Sequence, residues 1–453
     1  MKPCCRLTWL PAVMISAVVA LTLQGCAIFN SNSIAHQQDD SRTQKSYWIS
    51  SFSLFEKEVL NREGIRKLNE NLIKNKESGL YDLRHYPLNQ KSTEISKYIQ
   101  TTYKEFENLD LEKTYNKDRL LTRKELNEAI ANCNTEKMPK FLSAKFAVTL
   151  NRTNLRALPV QEGWYESPMD INYDLLQITA LDPSEPVLIL RESLDKDFYY
   201  VQSRYARGWV ATNEVAFTDH KTFFEYVSPS NFLIVTAPQK VLFNEGRRLV
   251  YQMGARIPLF SSAKKENSGD YTVKLPSRSH NHLIEVQRPV KADDSVHCGY
   301  LEYTRANILK QALRFNGNVY GYHGQNESVD SASFVQDVYK TVGILLPRTP
   351  SAIMLSLPKV KELDNALDKE VRQREIQKLS PSTLLLMRGH VMLYLGTDMK
   401  GEPTVIHAVS SYSPSGSNGA KNYIRRVIIS DMSLKNQRDM SLMDRIHAIA
   451  DIN

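Results

Sequence analysis

Near residue 140 the spacing of apolar residues changes from a helical period to a period of two, and it keeps that period to about residue 292. The runs are short: "KFAVTLN", "EPVLILRES", "DFYYVQS" and "RGWVATNEVAF", then "FLIVTAP", "KVLFNEG", "RLVYQMGARIPLFS" and "YTVKLPSR". They are rich in Val, Tyr and Trp and are separated by turn residues, as strands require. Alternation puts every second side chain on one face, and short strands bury that face by closing on themselves. Two small barrels are expected, at 139–225 and 226–295. They sit inside a chain of 453 residues, long enough for several domains.

Helical patterns flank the barrels on the N-terminal side. "SLFEKEVLNREGIRKLNENLI" brings Phe55, Val59, Leu60, Ile65, Leu68 and Leu72 near one face, with Gly64 interrupting. "STEISKYIQTTYKEF" repeats the pattern, and Thr122 three residues before Glu125 is a capping-box signature. Residues 47–138 therefore read as a helical domain. After Gly299 the pattern mixes: a helix in "YTRANILKQALRFNGNVYG", a second at 331–342, then the strands "STLLLMRG", "HVMLYLG", "TVIHAV" and "RRVIISDMSL". "LMDRIHAIADI" closes the chain and reads as a final helix. The class is α+β.

The first 25 residues differ from everything after them. Lys2 and Arg6 precede the uncharged "LTWLPAVMISAVVALTL", which ends in "LQGC" at 23–26. This resembles a lipoprotein signal peptide at 1–25, with Cys26 as the acylated residue and 26–46 as a polar tether. Ala27 follows the Cys, and no Asp stands there to argue for retention at the inner membrane. By resemblance to Gram-negative lipoproteins, the expected location is the periplasmic face of the outer membrane. Loss of Lys2 and Arg6 takes the formal charge from +8 to +6, a mild excess that suits an anionic envelope. No nucleic-acid motif and no zinc-ligand spacing is present, and no cofactor or metal is expected. Cys133 and Cys298 remain, and sequence leaves open whether they pair.

Two segments carry chemistry. In "SVDSASFVQDVYKTVG" Asp330 can cap a helix whose apolar face is Phe334, Val335, Val338, Tyr339 and Val342. Ser331 then falls in the first turn, among free N–H groups at the positive end of the helix dipole. The second segment, "HVMLYLGTDMKGEPTVIHAV", reads as a hairpin. A turn centred on Asp398–Met399 places His390 opposite His407, with Cβ atoms roughly 4.5–5.5 Å apart. One imidazole can then fix the tautomer of the other, as a general base needs.

Together "GYLEYTRANILKQALRFNGNVYGYHGQNESVDSASF", "GILLPR", "RGHVMLYLG", "VIHAVSSY" and "VIISDMSL" resemble the NlpC-type peptidoglycan peptidase family, which has a papain-like fold. "GWV" at 208–210, after "FYYVQSRYAR", resembles a bacterial SH3-like domain. The resemblance implies a helical N-terminal domain, two SH3-like barrels and a papain-like domain at 299–453. It also implies a γ-D-glutamyl–diaminopimelate stem peptide or muropeptide as ligand. By the same resemblance the nucleophile maps to Ser331, the base to His390 and its orienting partner to His407. Asp330, the residue at 332, and Tyr205 on the barrel wall would read a free amine.

The chain departs from that family in two adjacent places. The family's Cys is Ser331, and the Ser that follows it is Ala332. A thiol near pKa 8.5 becomes a stored thiolate beside His at a helix N-terminus; a hydroxyl does not. Loss of the proper nucleophile costs on the order of 10⁴–10⁶ in rate. The expectation is a murein-peptide-binding pseudoenzyme, with a serine-type γ-D-glutamyl peptidase using Ser331 and His390 as the alternative. No protein partner is indicated.

Overall fold

Asn61 opens the first long helix, α1 (Arg62–Lys74), by accepting a hydrogen bond from the Gly64 N–H at 2.9 Å. The computed structural model describes residues 47–48, 52–168, 170–260, 269–364, 367–416 and 419–453. The leader read at 1–25, Cys26 and the tether lie outside them. The periodicity that suggested one helix from Ser53 onward is broken by that cap. Glu58–Leu60 is instead a strand paired with Tyr303–Thr304.

The helical segment 47–138 divides its packing. Helices α2 (Ser92–Glu107) and α3 (Arg123–Asn132, with the Thr122–Glu125 capping box) bury Ile95, Ile99 and Leu126 in one cluster with Leu188, Tyr200 and Trp209 of the first β-region. Helix α1 clasps the C-terminal domain. Arg62 donates to the carbonyls of Tyr300 (2.6 Å), Leu301 (2.9 Å) and Val342 (2.9 Å). Asn69 bridges the Gly343 carbonyl (2.8 Å) and the Leu345 N–H (2.9 Å).

The expected strands of the first β-region form: Lys145–Thr149, Pro186–Glu192, Phe198–Gln202, Arg207–Ala211 and Val215–Phe217. Two more, Thr153–Arg156 and Gln177–Leu181, pair with each other at the sheet edge. Their inward positions include the polar Thr153, Gln177 and Thr179, so no apolar alternation marks them. The sheet does not end there. Through Phe217 beside His282 it continues into the hairpin Tyr271–Ser279/His282–Val290, nine strands in all. The two β-regions thus share a sheet. Helix α4 (His220–Val227) connects them. The rest of the second region is Phe232–Val235 between Arg256–Pro258 and Val296–Cys298, plus the hairpin Gln239–Asn244/Arg247–Gln252. Cys133 and Cys298 are both free thiols and sit in different hydrophobic clusters.

The C-terminal domain sets helices α5 (Arg305–Arg314), α6 (Ser331–Lys340), α7 (Pro350–Ser356) and α8 (Lys369–Gln377) about one sheet. Its strands are β1 (Val360–Glu362), β2 (Leu384–Met387), β3 (His390–Thr397), β4 (Pro403–Tyr412), β5 (Asn422–Asp431) and β6 (Ala448–Ala450). The spatial order is β1-β6-β2-β3-β4-β5 and every pairing is antiparallel. The final helix expected from "LMDRIHAIADI" is a single turn, Leu442–Arg445. Beyond it Ile446, Ala448, Ala450 and Ile452 alternate, and the chain enters the sheet as β6 between β1 and β2.

Helix α6 also differs from expectation. It is buried from Ser331 through Tyr339, on its polar face as well as its apolar one. Gln336 donates to the Leu346 carbonyl (2.8 Å), and Asp337 pairs with Lys340 (3.0 Å). The second β-region reaches this face at Gly254, whose φ is +78°. A Cβ there would lie 2.4 Å from Lys340 Cβ and 2.7 Å from the Asp337 carbonyl oxygen, so only glycine fits.

Candidate active site

Asp330 caps α6 in a reciprocal box. Its Oδ1 accepts the Ser333 N–H (2.7 Å), and Ser333 Oγ accepts the Asp330 N–H (2.9 Å). The buried carboxylate also takes both arms of Arg348, at 3.2 Å and 2.7 Å. Arg348 Nε in turn donates to Thr179 Oγ1 of the first β-region at 2.8 Å. Burial alone would raise the Asp330 pKa, but the Arg348 charge and hydrogen bonds hold it at about 2. Both carboxylate oxygens are committed, and a guanidinium lies against them. Asp330 therefore anchors the turn that carries Ser331.

Ser331 and Ala332 follow in the first turn, both buried. Ala332 offers the site no polar group. Helix α6 packs on β3 and β4, the strands that carry His390 and His407, and the charge of its N-cap Asp330 acts on His390. Tyr205 is not brought to this site. It packs its ring 4.8 Å from Lys340 Nζ, at the opposite end of α6.

The hairpin register differs from the expected one by two residues. Leu393 pairs with Ile406 and Tyr394 with Val405, and an irregularity follows before Gly396–Thr404. His390 and His407 are therefore diagonal neighbours. A slip of two preserves the face, where a slip of one would have separated them. His390 Nε2 and His407 Nδ1 lie 2.8 Å apart, and His407 Nε2 lies 3.0 Å from Ser430 Oγ. Burial, reinforced by Arg445, pushes His390 down to about 4. Burial and the His390 charge push His407 well below its usual value. Both rings are neutral at pH 7. If His407 Nε2–H donates to Ser430, His407 Nδ1 accepts from His390 Nε2–H, and His390 Nδ1 keeps its lone pair for a substrate-side proton.

The loop before α6 is strained and heavily tied. His323, Asn326 and Glu327 have φ of 49°, 55° and 52°. His323 Nδ1–H donates to the Gln177 carbonyl (2.6 Å), and Gln325 Oε1 accepts the Asp174 N–H (3.1 Å). Glu327 pairs with Arg248 at 2.5 and 2.8 Å. Tyr322 stacks on His323 with centroids 4.0 Å apart and faces Tyr173, whose hydroxyl bonds Ser410. Both β-regions thus hold the approach to Ser331. Arg348 and Ser430 lie in the quoted "GILLPR" and "VIISDMSL" without a role assigned; neither has a local partner to reveal one. Thr179, Tyr173 and Tyr322 gave no signal.

Residues 317–430 match the NlpC/P60 family, and residues 164–211 match an SH3 domain of the SH3b1 type. Among solved structures, the fold is similar to a novel NlpC/P60 endopeptidase from Photobacterium damselae subsp. piscicida. That match has 16% identity and a TM-score of 0.69, over 87% of this chain and 93% of that one. An NlpC/P60 family protein from Bacillus cereus ATCC 10987 matches at 17% identity with a TM-score of 0.45, over 67% of this chain and 98% of that one. No curated protein matches the chain.

Replacement of Arg348 by Met leaves a buried carboxylate unpaired. A loss of about 3–5 kcal/mol is expected in urea denaturation, with partial recovery when Asp330→Asn is added. The histidine pair predicts a separate pH effect. Unfolded histidines protonate near pH 6.5, while folded His390 resists to about 4. The unfolded state thus binds more protons below pH 6.5, so stability present above that pH is lost as pH falls toward 4, with a slope of up to about 1.4 kcal/mol per pH unit for each proton. In His407→Gln this slope between pH 6.5 and 4 is expected to flatten; an unchanged profile would show that His407 is not held neutral.

Proposed function

With a C-terminal domain of the NlpC/P60 family as premise, we propose that this protein is a cell-wall peptide-binding member in which hydrolysis is impaired. Its ligands are γ-D-glutamyl–diaminopimelate stem peptides or muropeptides. The observation that supports the proposal is a hydroxyl, not a thiol, at 331 in the first turn of α6, together with a His390 whose only ring partner among the described residues is His407 and which burial pushes down to about 4. Taking the proton of a serine requires a base whose cation is stabilised as it forms. Here the orienting partner of His390 is a second neutral imidazole, not a carboxylate, and Arg445 opposes the imidazolium. Asp330 favours it, but its carboxylate is bound up with Arg348.

One observation favours the alternative, an active γ-D-glutamyl peptidase with Ser331 as nucleophile. The chain from His390 through His407 to Ser430 is fully hydrogen-bonded, at 2.8 and 3.0 Å. We further propose that Cys26 carries lipid and anchors the protein at the periplasmic face of the outer membrane, which "LQGC" supports.

Incubation with L-Ala-γ-D-Glu-diaminopimelate peptide discriminates between the readings. Binding without release of L-Ala-D-Glu is expected, together with a gain of turnover in Ser331→Cys. Turnover by the wild type that disappears in Ser331→Ala would establish the serine peptidase instead. For the anchor, labelling with a clickable fatty acid is expected in the wild type and absent in Cys26→Ala; label retained in the variant would refute lipidation at that residue.

A further inference from the structure

At the far end of α6 from Ser331, helix α1, both β-regions and the C-terminal domain meet around a cavity of about 220 Å³. With roughly 30 Å³ per water in the liquid, that volume exceeds a monatomic ion and falls short of a drug-sized pocket. Most charges on its wall are paired: Arg66 with Glu63 and Glu70, Asp182 with Arg152, and Lys340 with Asp337. Three are not. Arg204 has a single long hydrogen bond, to the Val227 carbonyl at 3.3 Å. Arg256 points at the same carbonyl, at 3.3–3.4 Å, and at that of Tyr226 at 3.3 Å. Neither has a carboxylate partner among the described residues. Two guanidiniums with ten N–H donors between them thus share two carbonyls.

Glu185 lines the same cavity and makes no side-chain hydrogen bond or ion pair among the described residues. The groups that face it are Asp182, Lys340 and Arg256. Burial, with Asp182, pushes its carboxyl up to about 7, and the two cations do not hold it down. At Asp330, by contrast, one touching arginine holds the carboxyl at about 2. Burial and the Arg256 charge likewise lower Arg204. Like charges brought together and desolvated cost free energy unless a counter-charge joins them. A donor fork of arginine matches a planar carboxylate, and a free carboxylate matches an ammonium.

We propose that this junction is a second ligand site, a pocket for a small zwitterion of amino-acid size whose carboxylate is held by Arg204 and Arg256 and whose ammonium faces Glu185. Tyr205, drawn away from the Ser331 cleft, forms part of its wall. The site is independent of whether Ser331 is catalytic.

Isothermal titration of the full chain with alanine, sodium acetate, methylammonium chloride and sodium phosphate, at constant ionic strength, tests the assignment. Alanine is expected to bind more tightly than acetate, and methylammonium to give no heat. Arg256→Gln is expected to weaken alanine about 10-fold or more, the scale of a charged hydrogen bond. Glu185→Gln, which removes no hydrogen bond of the fold, is expected to abolish the preference of alanine over acetate while acetate binding persists. That variant keeps the proposal testable if Arg256→Gln does not fold. No alanine binding, tighter phosphate than alanine, or a preference for alanine unchanged in Glu185→Gln would each overturn it.

Discussion

The buried pair between Asp330 and Arg348 is the interaction on which the rest of the candidate site depends. It caps α6, fixes the turn that presents Ser331 and, through Arg348 Nε on Thr179, fastens that turn to the first β-region. Two desolvated charges are costly to assemble and costlier to separate. The geometry therefore tolerates little drift, which suits a site whose remaining polar groups sit on a different element, the β3–β4–β5 sheet.

That arrangement explains why two functions can be read in one constellation. The histidines and Ser430 have the order a general base requires, while the side chain at 331 is a hydroxyl, which is not stored as an anion as a thiol can be. The neighbouring Ala332 is buried and brings no polar atom to the adjoining position.

The sequence made the architecture legible where the pattern is local. The period-two strands, the Thr122–Glu125 box, the Asp330 cap and the shared face of His390 and His407 all follow from residues within a turn or a hairpin of one another. It misled where tertiary placement overrides pattern. "IHAIADI" satisfies both a helical and an alternating reading, and insertion between β1 and β2 decides for the strand. The register of the hairpin shifted by two because the turn is centred on Lys400, not on Asp398–Met399, and the irregularity near Gly396 takes back one residue of that displacement, which restores the parity that keeps the rings together. The burial of the polar face of α6, the Arg348 bridge and the ejection of Tyr205 to the far end of that helix depend on contacts across many residues. No local spacing encodes them.

The continuous nine-stranded sheet has a consequence for how such a chain can change. Val215–Phe217 and His282–Val290 belong to different β-regions, yet they are hydrogen-bonded neighbours, and Gly254 of the second region sits directly on the backbone of the Ser331 helix. The two regions are therefore packed as one body, and substitutions in the β-regions are expected to be felt at the cleft.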